Sequence, residues 1–121
     1  MKCPCTPTKN YIDCCKKAHQ DIKTVISAEE LMRSRYTAFV LANIEYLQKS
    51  HHVSTRPRKK EKKEILDWTK SVEWIRLEVI NSTENTVEFK AYFMEKGKLN
   101  VIHENSFFCK ENEHWVYKNA H

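Results

Sequence analysis

Between positions 27 and 49 the apolar residues fall at helical intervals. Leu31, Met32, Tyr36, Phe39 and Val40 recur three and four apart, the spacing that lines one face of a helix. Ser27-Ala28-Glu29-Glu30 precedes them with serine and glutamate in capping-box register, and a helix from about Ala28 to Leu41 is predicted. Asn43 is placed to cap a second helix running through Ile44, Tyr46 and Leu47 to near Lys49. His51 to Pro57 reads as a loop, and Ile65, Leu66 and Trp68 predict a third, short helix over Lys60 to Thr69. The period then changes to two: Trp74 to Ile80 and Val87 to Ala91 alternate as strands, with a turn over Asn81 to Asn85. Glu95-Lys96-Gly97-Lys98 is a hairpin turn, Leu99 to Lys110 a long strand, Glu111-Asn112-Glu113 a turn, and His114 to Lys118 the last strand. Residues 16 to 26 read as a connector. Helices followed by an antiparallel meander define an α+β class, with the helices on one face of the sheet.

The 121 residues suffice for one domain with a small appendage. No apolar run approaches the roughly 20 residues that span a bilayer. One glycine and three prolines leave no room for long flexible linkers. The net charge of +5 invites nucleic acid, anionic lipid or an acidic protein. Much of the excess sits in Arg56, Arg58, Lys59, Lys60, Lys62 and Lys63. Such a run ordinarily marks a solvated helix start, so nucleic-acid binding is not expected.

The concentrated chemistry lies at the start. Cys3 and Cys5, then Cys14 and Cys15, put four of five cysteines within thirteen residues. Zinc takes four tetrahedral ligands and favours thiolates, so Zn2+ on Cys3, Cys5, Cys14 and Cys15 is the first expectation. A redox switch is the alternative. Neighbouring Cys14 and Cys15 are awkward for a mutual disulfide, although cross-pairing with Cys3 and Cys5 is geometrically open. No charged-then-apolar leader follows Met1-Lys2. The expected compartment is therefore the cytoplasm, where thiols stay reduced. Lys2, Lys9, Lys16 and Lys17 offset the charge of a four-thiolate site. His19 is a spare donor, read as a surface or outer imidazole because four sulfurs fill the shell.

Cys3-Pro4-Cys5-Thr6-Pro7-Thr8-Lys9-Asn10-Tyr11-Ile12-Asp13-Cys14-Cys15 resembles the SEC-C motif of the SecA tail, with Thr6-Pro7-Thr8 replacing its Gly-Ser-Gly turn. Glu30 to Leu41, His52-Val53-Ser54-Thr55-Arg56-Pro57, Trp74 to Val79 and His103-Glu104-Asn105-Ser106-Phe107-Phe108 together resemble the YchJ family of bacterial proteins. The resemblance implies two units: a SEC-C-like knuckle over residues 1–22, and a cone-shaped nuclear-transport-factor-2-like (cystatin-like) domain over 23–121, its helices packed on a curved antiparallel sheet. It implies a zinc-binding accessory or adaptor protein whose partner is an export chaperone, the ribosome or acidic lipid, and a homodimer through the open sheet face. Some relatives carry a second knuckle at the C-terminus. With only Cys109 in that region, one knuckle is expected here, and Cys109, on a strand face with Leu99, Val101 and Phe107, reads as a buried structural thiol.

Cone folds of this kind often enclose a pocket, so a small-molecule binder or enzyme is the alternative function, although no catalytic constellation is visible and an enzyme is not the favoured reading. The candidate pocket residues are Arg33, His52, Arg56, His103 and Glu104. Alternation puts His103 on a face with Val101 and Phe107, as either a hydrogen-bonded core histidine or a pocket group. Arg33 and Arg35, two apart on a helix, cannot both face the core, and one of them is expected to pair with Glu104 or Glu78.

Overall fold

The computed structural model describes residues 1–120. Four helices, α1 (Cys15–Gln20), α2 (Ala28–Val40), α3 (Ile44–Lys49) and α4 (Lys59–Ser71), precede four strands, β1 (Glu73–Ser82), β2 (Thr86–Glu95), β3 (Lys98–Glu111) and β4 (His114–Ala120). The strands form one antiparallel sheet in sequence order. The α+β expectation holds.

Helix α2 is the axis of the fold. The Ser27 side chain accepts from Glu30 N–H at 3.2 Å, and the Glu30 carboxylate accepts from Ile26 N–H at 2.8 Å, one residue before the cap. Its C-terminus closes by bonds from Asn43 N–H to Ala38 C=O and from Ala42 N–H to Phe39 C=O, with Ala42 left-handed at φ 55°, the pattern of a Schellman cap. Ala28, Leu31, Met32, Tyr36 and Ala38 are buried, and so are Ser34, Arg35 and Thr37. Buried polar groups persist only with partners, and these three connect α2 to the rest of the molecule.

The core lies between α2 and β2, where Val87, Phe89, Ala91 and Phe93 alternate inward. Burying each of these larger apolar side chains contributes about 1.5–3 kcal/mol. The supposed connector over 16–26 is structured: α1 is followed by a 3-10 turn over Ile22–Thr24 capped by Asp21. Ala18, Ile22 and Val25 belong to the same buried cluster as α2, because these small apolar positions occur every three or four residues.

The register corrects the reading of β3. Phe89 pairs with Glu104, Ala91 with Ile102 and Val87 with Ser106, so the even positions of β3 face inward. His103 faces solvent, and Leu99 and Val101 are 63% and 51% exposed. Cys109 is only half-buried, rather than the buried thiol expected; the register shift nearby skips Lys118 of β4.

Both short hairpins turn through left-handed residues: Lys96-Gly97 at φ 51° and 77°, and Asn112-Glu113 at φ 52° and 68°. The left-handed region costs a non-glycine residue about 1–2 kcal/mol, and Asn-Gly is the preferred pair for such turns. Glu113→Gly is therefore expected to stabilise the protein by about 0.5–1 kcal/mol, net of the extra entropy glycine brings to the unfolded chain. Urea denaturation measures this; an unchanged or lower midpoint would refute it.

Candidate metal centre and adjoining cavity

The N-terminal knuckle is drawn together by its backbone. Cys3 N–H donates to Lys9 C=O at 2.9 Å and Tyr11 N–H to Met1 C=O at 2.9 Å, while Thr6 N–H donates to Cys3 C=O at 3.1 Å. The Thr6-Pro7-Thr8 turn closes with no left-handed residue; the Thr6 and Thr8 hydroxyls bond each other at 2.9 Å. Pro7 and the threonine hydroxyls do locally what a glycine-rich turn does by conformational freedom.

The sulfurs of Cys3, Cys5, Cys14 and Cys15 all lie within 4.8 Å of one another. Cys5 Sγ is 3.6 Å from each of the other three. Four sulfurs at the usual Zn–S distance of about 2.3 Å stand about 3.8 Å apart, whereas a disulfide needs about 2.05 Å. The cluster has the dimensions of a tetrahedral thiolate site and can hold a metal ion. Cys3, Cys5 and Cys15 are 2–4% exposed. Without an ion, the Cys15, Cys14 and Cys3 thiols donate toward Cys5 and hold its thiol down at about 5, aided by the Arg33 charge and opposed by burial. Burial and the Cys5 thiolate push Cys14 up to about 12. Cys15 is driven upward too, first by its bond to Cys5.

Helix α2 supplies the outer shell. Thr37 Oγ1 donates to Cys15 Sγ at 3.3 Å and lies 3.7 Å from Cys3 Sγ. Arg33 Nη1 donates to Cys5 C=O at 3.0 Å, and its Nε donates to Glu29 at 3.0 Å. His19 is not a ligand: both ring nitrogens are engaged, Nε2 with Ser34 C=O at 2.8 Å and Nδ1 with the Tyr11 hydroxyl at 2.8 Å. A carbonyl only accepts, so Nε2 carries the proton and Nδ1 accepts from Tyr11. Burial lowers the His19 pKa, consistent with this neutral form.

Across α2 from the knuckle is a cavity of about 230 Å3. Met32, Phe39, Ile65 and Phe89 form apolar walls, with Arg35, His51, Glu104 and Tyr117 among the polar lining. Arg35 is 7% exposed. Its Nη1 donates to Leu47 C=O at 2.9 Å and to Ser50 Oγ at 2.7 Å, and its guanidinium sits 4.8 Å from the Tyr117 ring centre. Burial lowers its pKa to about 10.

Of the five predicted pocket residues, only Glu104 lines this cavity. Arg33 belongs to the knuckle because a residue two positions from Arg35 lies about 200° around the helix. His103 is on the outer sheet face, 2.8 Å from Glu88. His52 and Arg56 fasten their loop: both approach Glu111, at 3.4 and 3.7 Å, and Arg56 donates twice to His51 C=O. Sequence reasoning missed Thr37 as a partner of the sulfurs and Arg35 and His51 as cavity groups. The paired arginines were the available signal, without indicating which one turns inward.

His51 is held down at about 4, chiefly by burial and then by the Arg35 and Arg56 charges. The unfolded chain protonates this group near 6.5, so between about 6.5 and 4 it binds more protons than the folded protein. His51 therefore makes stability fall as pH drops through that window. His51→Gln is expected to flatten this part of the curve in denaturation at stepped pH. Parallel curves for the variant and the parent would show that His51 titrates normally.

The molecule is thus of the nuclear-transport-factor-2-like class, with a cysteine knuckle docked on its central helix. The chain belongs to the YchJ family: the family described as "YchJ, middle NTF2-like domain" matches residues 27–120. A UPF0225 protein of Vibrio vulnificus is 40% identical, covering 95% of this chain and 71% of that one. A UPF0225 protein of Bordetella pertussis is 38% identical, with 95% and 88% covered. A SEC-C motif containing protein from Rhodopseudomonas palustris, solved in solution, superposes with a TM-score of 0.81 at 28% identity, covering 100% of this chain and 98% of that one. A crystal structure of a SEC-C motif containing protein from Psychrobacter arcticus gives 0.74 at 30% identity, covering 97% and 80%. Among the described residues no helix is long and apolar enough to cross a membrane.

Proposed function

We propose that Cys3, Cys5, Cys14 and Cys15 hold one Zn2+ as a closed structural site, and that the protein is a cytoplasmic accessory or adaptor presenting the knuckle surface to a protein partner. The supporting observation is the mutual approach of four cysteine sulfurs within 4.8 Å. Four thiolates complete a tetrahedral shell and leave no position for water or substrate, the mark of a structural rather than catalytic site. Around it, Met1 and Ile12 are exposed large apolar residues, and Lys2, Lys9 and Lys17 are exposed beside them. Apolar contact ringed by positive charge suits an acidic protein surface. Resemblance of the knuckle to the SecA tail favours an export chaperone as that partner, ahead of the ribosome or acidic lipid.

Elemental analysis under reducing conditions is expected to find about one zinc per chain, and Cys14→Ser to lose it. Capture of an acidic chaperone by the intact protein, abolished in Cys14→Ser and in a Lys9→Glu/Lys17→Glu variant that keeps its zinc, would support the adaptor role. Absence of metal from protein with four reduced thiols would overturn the site. Capture unaffected by the charge reversal would overturn the docking surface.

A further inference from the structure

We propose that the cavity bounded by Arg35 and Glu104 is a binding site for a small carboxylic acid with an apolar body and a cationic or hydrogen-bond-donating second group, the class that includes apolar α-amino acids. The metal centre takes no part in it.

Arg35 carries the argument. It is a buried cation with no carboxylate within 4.0 Å among the described residues. Its Nη1 is saturated by Leu47 C=O and Ser50 Oγ. Guanidinium has five N–H donors, and no described residue takes those on Nε and Nη2. Neither atom is sealed from solvent: the one buried polar side-chain atom without a partner among the described residues is Trp115 Nε1. Arg35 lines the cavity, and these are the donors it has left for a molecule bound there. The Tyr117 ring holds the guanidinium plane. Guanidinium donors fixed in a plane match the two oxygens of a carboxylate.

Glu104 supplies the complement. It lines the same cavity, its charge acts on Arg35, and its carboxylate makes no hydrogen bond or ion pair with the described residues. A cation and an anion share one cavity without direct contact, and a molecule bearing the opposite charges at matching separation would satisfy both. His51 adds an acceptor. Thr55 gives its only hydroxyl proton to Lys118 C=O at 2.7 Å, so His51 Nε2–H donates to Thr55 Oγ1 at 3.1 Å, which leaves Nδ1 with its lone pair. The Met32, Phe39, Ile65 and Phe89 walls fix the body as apolar, and about 230 Å3 lies below the roughly 300 Å3 at which drug-sized sites begin.

The test uses the full chain with its metal as purified, and three probes with one apolar body: leucine, 4-methylpentanoate and 3-methylbutylamine. Each is titrated while backbone amide resonances are followed by nuclear magnetic resonance. Leucine is expected to shift the amides of Arg35, Leu47, His51 and Glu104. The amine is expected to bind at least about tenfold more weakly, as loss of a charge-assisted bond implies. Glu104→Gln should erase leucine's advantage over 4-methylpentanoate, and Ile65→Trp, which enlarges an apolar wall of the cavity from α4, should abolish every response. Silence of these amides to all three probes, equal response to acid and amine, or responses that survive Ile65→Trp would each overturn the proposal.

Discussion

If the knuckle holds zinc as proposed, a chelator is expected to lower the melting temperature by roughly 20 °C. Structural zinc contributes about 10–16 kcal/mol to the folding of small finger peptides, comparable to the entire stability of an ordinary domain, about 5–15 kcal/mol. Even 4 kcal/mol lost would move the transition by about 15 °C in a domain of 121 residues, whose unfolding entropy is roughly 2.1 cal/mol/K per residue. The loss would not stay local, because Cys3, Cys5 and Cys15 are members of the same buried cluster as Leu31, Tyr36 and Phe108. Cys14→Ser should reproduce the chelator's effect, whereas Cys109→Ser, remote from the cluster, should change stability by less than about 1 kcal/mol. Differential scanning calorimetry with and without chelator decides the matter. A transition that ignores the chelator would mean the knuckle is held by packing alone.

Arg35→Ala is expected to destabilise the protein by about 3 kcal/mol, and Arg35→Met by less than about half that. Either change leaves Leu47 C=O with only a 3.4 Å bond from Ser50 Oγ, part of the roughly 1–3 kcal/mol of a fully orphaned buried acceptor, and alanine also opens a hole under Tyr117 whose cost grows with its volume. Methionine refills the space and also removes a charge that no carboxylate offsets at contact distance. Replacing buried charge by apolar bulk is often neutral or favourable. Denaturant midpoints of the two variants give the comparison. Equal losses would show that the charge and the hydrogen bonds of the guanidinium, rather than the filled volume, support the fold.

Much of the architecture was legible. Ser27 and Glu30 announced α2 because capping chemistry is local, and the shift from helical to alternating period located β1. The four cysteines were legible as a site because donor type and spacing suffice to suggest one. The inward face of β3 was not. Its odd positions include Leu99, Val101 and Phe107 and look like a core face, yet pairing of Phe89 with Glu104 turns them outward. Register is set across strands, and a strand apolar on both faces does not announce it. The choice between Arg33 and Arg35 was hidden for a similar reason: helical geometry separates them, but only the docking of the knuckle and β4 against α2 says which is enclosed.

The segment over residues 50–52 runs beside β4. His52 N–H donates to Tyr117 C=O at 2.8 Å, Tyr117 N–H donates to Ser50 C=O at 2.7 Å, and the Thr55 hydroxyl takes up Lys118 C=O. At the opposite margin β1 is kinked where its register slips at Ile75 and Ile80. Bare, straight strand margins are where chains zip together into aggregates and fibrils. One margin of this sheet is interrupted at Tyr117 and Lys118, where its hydrogen bonds are taken, and the other is broken by two bulges, so neither offers a long straight template for that route to insolubility.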